Sequence, residues 1–178
     1  DDMARVQPSA TLIGDFQFAP ASHSLYLVTD RYDLWRVSDE GQELQLIREA
    51  GEGGFFTFSP DGRSMTLYHP NKLLLTRPDG SQTRVAVPYI EDYRFTMMGP
   101  EVIWAGDSAG FWTVAAVAEQ GAPDNMVVWW VPVDGAASRQ LSYTGPYGSH
   151  LAPDGSRVAF AYYQHDPMDV HTVGGDGQ

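Results

Sequence analysis

Five histidines and 23 carboxylates are the side chains from which a metal centre or an acid–base pair would have to be built. His165-Asp166 and the pair Asp169 and His171 stand close together in the chain. A divalent ion needs three or four converging oxygen or imidazole ligands, however, and spacing alone does not supply them. His23 falls in a turn. His150 falls in a strand of the kind that would line a central channel, where a lone histidine is more often a hydrogen-bonded wall residue than a ligand. For nucleophilic catalysis the one candidate is Ser108, within "AGDSAGF". A catalytic Gly-x-Ser-x-Gly elbow joins a strand to a helix, whereas this stretch reads as a link between two strands. "GEGGF", residues 51–55, has too few spaced glycines and no following helix to cradle a phosphate. There is no cysteine, which removes thiol nucleophiles, thiolate metal sites and disulfides. The expectation is a chain with no catalytic residues, no metal and no cofactor.

The elements that carry these residues are set by a repeat. "FTFSPDGRSMTLY", residues 56–68, reads as two short strands hinged on Ser59-Pro60-Asp61-Gly62. The same setting recurs at Pro20 in "DFQFAP" and at Pro153 in "GSHLAP". Pro100 invites alignment as a further copy but would leave surplus residues before the next strand. Gly106-Asp107 in "EVIWAGDSAGF" fits better, with Trp104 matching Phe58. A second landmark runs in phase: Gly41, Gly80, Gly135 and Gly177 close turns, and six residues before each stand Trp35, Leu74, Trp129 and His171. Period-two alternation and aromatic or β-branched enrichment make every segment a strand, four to a unit. In the hinge, Pro fixes φ, Asp bonds the backbone two residues on and Gly accepts positive φ. Asp61, Asp107 and Asp154 are therefore expected to serve turns.

At these residues the sequence resembles the TolB-type, WD-like (PD40-like) propeller repeat, carried by "FTFSPDGRSMTLY", "TDRYDLWRVSDEG" and "LAPDGSRVAF". The third unit departs by losing its hinge proline. The resemblance implies an all-β fold: a β-propeller of four four-stranded blades, approximately 15–47, 54–87, 101–143 and 148–178, as a single domain. The last unit stops after its third strand, and residues 6–13 have the character of the missing fourth, so the N-terminal strand is expected to close the ring. The same pattern fits part of a six- to eight-bladed propeller, or two chains joined in one ring. "DDMARVQ" lacks an initiator Met and an apolar signal, which reads as a processed or trimmed product. The resemblance also favours an extracytoplasmic location, periplasmic or cell-surface.

Eleven basic residues against 23 acidic give a net charge of −12, a surface that repels phosphate backbones and disfavours nucleic-acid binding. No apolar run is long enough for a spanning helix. What remains is recognition of a protein or peptide. Loops between second and third strands and the links between units should share one end. There the chain places Arg31, Tyr32, His69, Tyr89, Tyr93, Arg94 and Tyr147, with Phe95, Met97 and Met98 nearby. Tyr and Arg dominate binding energy, and Met adapts to irregular partners. The expected function is a non-enzymatic binding or scaffolding module. The alternative is the propeller of a prolyl-oligopeptidase-type peptidase or of a metal-dependent hydrolase. Monomer and dimer both remain open.

Overall fold

A computed structural model describes residues 13–69, 72–88, 102–116, 126–141, 146–162 and 169–174. Among them are fifteen strands and no helix. The first sheet runs β1 (Ile13–Phe18), β2 (Leu25–Thr29), β3 (Leu34–Val37) and β4 (Leu44–Arg48). The second runs β5 (Phe56–Phe58), β6 (Met65–His69), β7 (Lys72–Thr76) and β8 (Arg84–Pro88). The third runs β9 (Val102–Trp104), β10 (Gly110–Ala116), β11 (Met126–Pro132) and β12 (Arg139–Gln140), and the fourth β13 (Pro146–Leu151), β14 (Arg157–Tyr162) and β15 (Asp169–Gly174). In each sheet the strands lie side by side in chain order, antiparallel. The segment expected to close the ring, residues 6–13, lies outside the described residues except for Ile13, which opens β1.

The register bears out the repeat. The residue two before each anchor faces an apolar partner across the hinge: Phe18 opposite Leu25, Phe58 opposite Met65, Trp104 opposite Phe111 and Leu151 opposite Val158. Anchoring the third unit on Gly106 is thus correct. The second landmark holds in the first three sheets, where Gly41, Gly80 and Gly135 close turns at positive φ and Trp35 pairs with Leu27 and Trp129 with Thr113; Gly177 lies outside the described residues, although His171 pairs with Phe160.

All four hinges close with the same two backbone bonds. One runs from Ala19 N to Ser24 O at 3.0 Å, with counterparts at Ser59 to Ser64, Ala105 to Gly110 and Ala152 to Arg157. The other runs back over the tip, from Gly62 N to Ser59 O at 2.9 Å in the second hinge. Asp61 accepts from Arg63 N at 3.0 Å, Asp107 from Ala109 N at 2.9 Å and Asp154 from Ser156 N at 3.0 Å, as the hinge chemistry requires.

The chain divides into two compact units: Asp1–His69 with Leu74–Arg84, and Pro70–Leu73 with Val85–Gln178. In the first, period-two alternation gives the first sheet two faces. One face carries Tyr26, Val28 and Leu34, which are buried against Phe56, Phe58, Met65 and Leu67 of the second sheet. Tyr26 meets the Phe58 ring edge-on, with centroids 5.1 Å apart at 74°. Gln17 Nε2 adds a polar tie to Phe56 O at 2.7 Å. In the second unit Trp112, Val114, Val128 and Trp130 hold Val158 and Phe160 in the same way, the two indoles 4.8 Å apart. A buried aromatic of this kind contributes roughly 3–5 kcal/mol against its truncation to Ala.

Neighbouring hinges also touch. A Cβ on Gly62, where φ is +68°, would sit 2.6 Å from the Cβ of Ala21, and Gly106 N donates to Gly155 O at 3.0 Å. Gly41 has a similar φ of +70° but open space around it. Gly41→Ala is therefore expected to lose about 1 kcal/mol, the left-handed backbone penalty alone. Gly62→Ala is expected to lose about 2 kcal/mol more through overpacking at the hinge. Urea unfolding of the two variants checks this, and equal losses would refute the hinge contact.

Candidate functional site

The β2–β3 connection is a three-residue hairpin loop, Asp30-Arg31-Tyr32, of the type whose last position is left-handed and usually glycine. Tyr32 occupies it with φ of 57°. The loop is held by Tyr32 N to Thr29 O at 3.0 Å and Thr29 N to Asp33 O at 3.2 Å. Beneath it the buried Thr29 hydroxyl donates to the buried Asp33 carboxylate. Arg31 N completes the turn on Thr29 Oγ1 at 3.2 Å.

The link from β4 to β5 is bonded directly onto this loop. Gly51 N donates to Arg31 O at 2.9 Å and Gly53 N to Tyr32 O at 2.7 Å, while Tyr68 N, near the end of β6, donates to Phe55 O at 2.8 Å. These approaches need glycine: a Cβ on Gly53 would lie 2.7 Å from Tyr32 O, and one on Gly54 would lie 2.0 Å from Tyr68 O. The glycines of "GEGGF" thus serve close backbone contact. The result is a fixed aromatic pair, Tyr32 and Phe55 edge-to-face with centroids 6.4 Å apart at 84°. Both are open to solvent, Tyr32 at 47% and Phe55 at 43%. Exposed Arg31 flanks them, with exposed Asp30, Glu49 and Glu52 on the same two loops.

Of the expected residues, Arg31 and Tyr32 come together here. His69 is half-buried at the end of β6, one residue from the Tyr68 amide that holds Phe55. Tyr147 lies within β13, where the register shifts between Pro146 and Gly148, instead of in a loop. Tyr89, Tyr93, Arg94, Phe95, Met97 and Met98 lie outside the described residues, as do His165 and Asp166. Phe55 is the residue that motif reading passed over. The glycine pair before it was the available signal, since two adjacent small residues ahead of an aromatic mark a place where backbones must nearly touch.

Ser108, at φ 61°, holds the hinge position that Gly62 and Gly155 hold in their sheets, and its N–H donates to Ala105 O at 2.9 Å. His150 lies exposed in β13, and His171 lies exposed opposite Phe160. Among the described residues no three His, Asp or Glu side chains converge as a metal site would require. No described helix could cross a membrane.

The sequence matches no protein-family model and no curated protein. Solved structures do match. A nidogen/laminin complex superposes with a TM-score of 0.56 at 16% identity, over 91% of this chain and 61% of that one. TolB from Acinetobacter baumannii gives 0.58 at 16% identity, over 92% and 41%. Porphyromonas gingivalis dipeptidyl peptidase 4 gives 0.68 at 12% identity, over 96% and 32%. The fold is β-propeller-like. The chain spans less than two thirds of each of these solved chains. At such identities the likeness speaks for the fold alone.

Several carboxylates in the turns are held below their usual range. The Ser24 hydroxyl, donating at 2.5 Å, lowers Asp39; the side chain and amide of Ser81 lower Asp79; the amide and hydroxyl of Ser156 lower Asp154. A carboxylate whose folded pKa is depressed stabilises the fold above its unfolded value, near 3.9, and that contribution is lost as pH falls through the folded value. Asp154→Asn is therefore expected to melt lower than the wild type at neutral pH, with the gap closing as the pH falls below the ordinary carboxylate range. Thermal melts across that range test it, and a gap that is unchanged in acid would exclude the linkage.

Proposed function

We propose that this chain is a non-enzymatic β-propeller module, its four sheets serving as four blades. On this reading the Arg31–Tyr32–Phe55 loop end receives a protein or peptide of net positive charge. The observation that carries the reading is Tyr32 itself. A bulky residue in the left-handed region costs about 1–2 kcal/mol that glycine would avoid, and strain of this kind gathers at sites of use. Here the strained residue aims an aromatic ring at solvent beside a second exposed ring.

Two exposed rings suit the side chain of Lys or Arg, which packs its stem on the aromatic faces and sets its cation over them. Asp30, Glu49 and Glu52 around the pair, and the net charge of −12, favour the same partner and raise its association rate. They also disfavour nucleic acid.

Tyr32→Gly separates structure from use. It is expected to keep the melting temperature or to raise stability by up to about 1 kcal/mol, since the turn is relieved of strain. Retention on arrays of Lys- and Arg-containing peptides should fall by about tenfold or more, the loss typical of an aromatic anchor. Phe55→Ala should lose binding likewise. If Tyr32→Gly binds as tightly as the wild type, the site lies elsewhere; if it unfolds, the side chain is core.

A further inference from the structure

Tyr32 and Phe55 offer a shape as well as apolar area. Their planes stand at 84° with centroids 6.4 Å apart, so a face of one ring and a face of the other meet as two walls of a corner. The backbone beneath both walls is fixed, by Gly53 N on Tyr32 O at 2.7 Å and by Tyr68 N on Phe55 O at 2.8 Å. Both rings are about half open, which lets a side chain reach the corner from solvent. The two loops that carry them hold three exposed carboxylates, Asp30, Glu49 and Glu52, against the single guanidinium of Arg31.

A cation gains most from a ring face when it sheds water to reach it. That condition separates the two basic side chains. The ammonium of Lys is compact and strongly hydrated, whereas the guanidinium of Arg is planar, weakly hydrated and stacks on aromatic faces. Planarity matters most here, because a plate laid parallel on one ring stands perpendicular to the other and directs its edge N–H groups at that second face. A tetrahedral ammonium has no plane to lay on either wall. The N–H groups on the outer edge of the plate stay available to a carboxylate, in the fork geometry that suits it.

On the reading of this loop end as the receptor for a basic partner, we infer that the Tyr32–Phe55 corner selects arginine over lysine. One Arg side chain of the partner stacks on one ring, turns its N–H edge to the other and pairs with a carboxylate of the two loops. The ligand class is thus an Arg-bearing peptide segment, and lysine is the side chain it rejects.

NMR titration of the intact chain with blocked, glycine-flanked peptides that differ only in the central residue tests this. Central Arg is expected to bind about fivefold tighter than central Lys. Central citrulline, which keeps the plane and loses the charge, should bind more weakly than Arg. Phe55→Leu keeps apolar bulk but removes one wall, and should bring the Arg and Lys constants to within about twofold of each other. Equal constants for Arg and Lys in the wild type, or tighter binding of central trimethyllysine than of Arg, would overturn the selectivity. The receptor reading would survive that result if Tyr32→Gly still weakened the peptides. An Arg preference that outlasts Phe55→Leu would also overturn the inference, since the corner would then not be its source. If no peptide binds, or if Tyr32→Gly leaves every constant unchanged, the receptor reading fails and this inference fails with it.

Discussion

The described cores depend on one kind of contact, apolar side chains that flank the hinge of one sheet settling on the face of the sheet before it within the same compact unit. Phe58 and Met65 do this against Tyr26 and Val28, and Val158 and Phe160 do it against Trp112 and Val114. A single sheet of three or four short strands cannot bury enough surface to be stable. Within each compact unit one sheet therefore offers a face to the other, and the repeat brings equivalent positions to that contact. That requirement fixes the hinge. A one-residue slip between Phe58 and Met65 would turn both to the other side of the sheet. The Asx bond of Asp61 and the left-handed Gly62 prevent the slip by allowing a single turn geometry.

Locking one end of each sheet leaves the other end free to vary. The hinges are crowded, with Gly62 against Ala21 and Gly106 against Gly155, so side chains there have no room to change. The loops at the far end of the first sheet are bonded to one another by backbone groups alone, through Arg31 O and Tyr32 O. The backbone bonds hold the loops in place, which is why Tyr32 and Phe55 can pack on each other and still stand half in solvent on a rigid base. A binding surface gains from this arrangement because ordering entropy has been spent in folding and need not be spent on association.

The fold was legible in the sequence because hinge chemistry is local. "SPDG" specifies its own turn, and the third copy could be placed at Gly106 despite the missing proline because Trp104 and the following strand kept their spacing. The first sheet's second face was legible only in part. Alternation in "DFQF" told that Phe16 and Phe18 share a side, but whether that side is covered depends on what lies next to it, and no residue within the sheet records that. The site was harder still. Arg31 and Tyr32 were found by residue type, and Phe55 was passed over because its partner is 23 residues away and the link is made by backbone N–H groups of glycines, which carry no side-chain signature. Tyr147 was placed in a loop by its proximity to Pro146, and a register shift in β13 absorbed both.

The acidity of the chain has a structural share that bears on how its charge is read. Asp61, Asp79, Asp107, Asp134 and Asp154 each accept a backbone N–H two residues on, and Asp39 takes the Ser24 hydroxyl, which also receives Arg36 at 3.0 Å. Asparagine can cap such a turn but is neutral, and the ionised carboxylate makes the stronger bond. A fold that closes five of its described hairpins with Asx turns, in the second, third and fourth sheets, therefore accumulates negative charge as a by-product of its turns. The acids that no turn requires are different. Glu49 and Glu52 lie on the link whose backbone grips the Tyr32 loop, and their side chains cap nothing among the described bonds. It is this second group, free of turn duty, that lies on the link bonded to the loop of the two exposed rings.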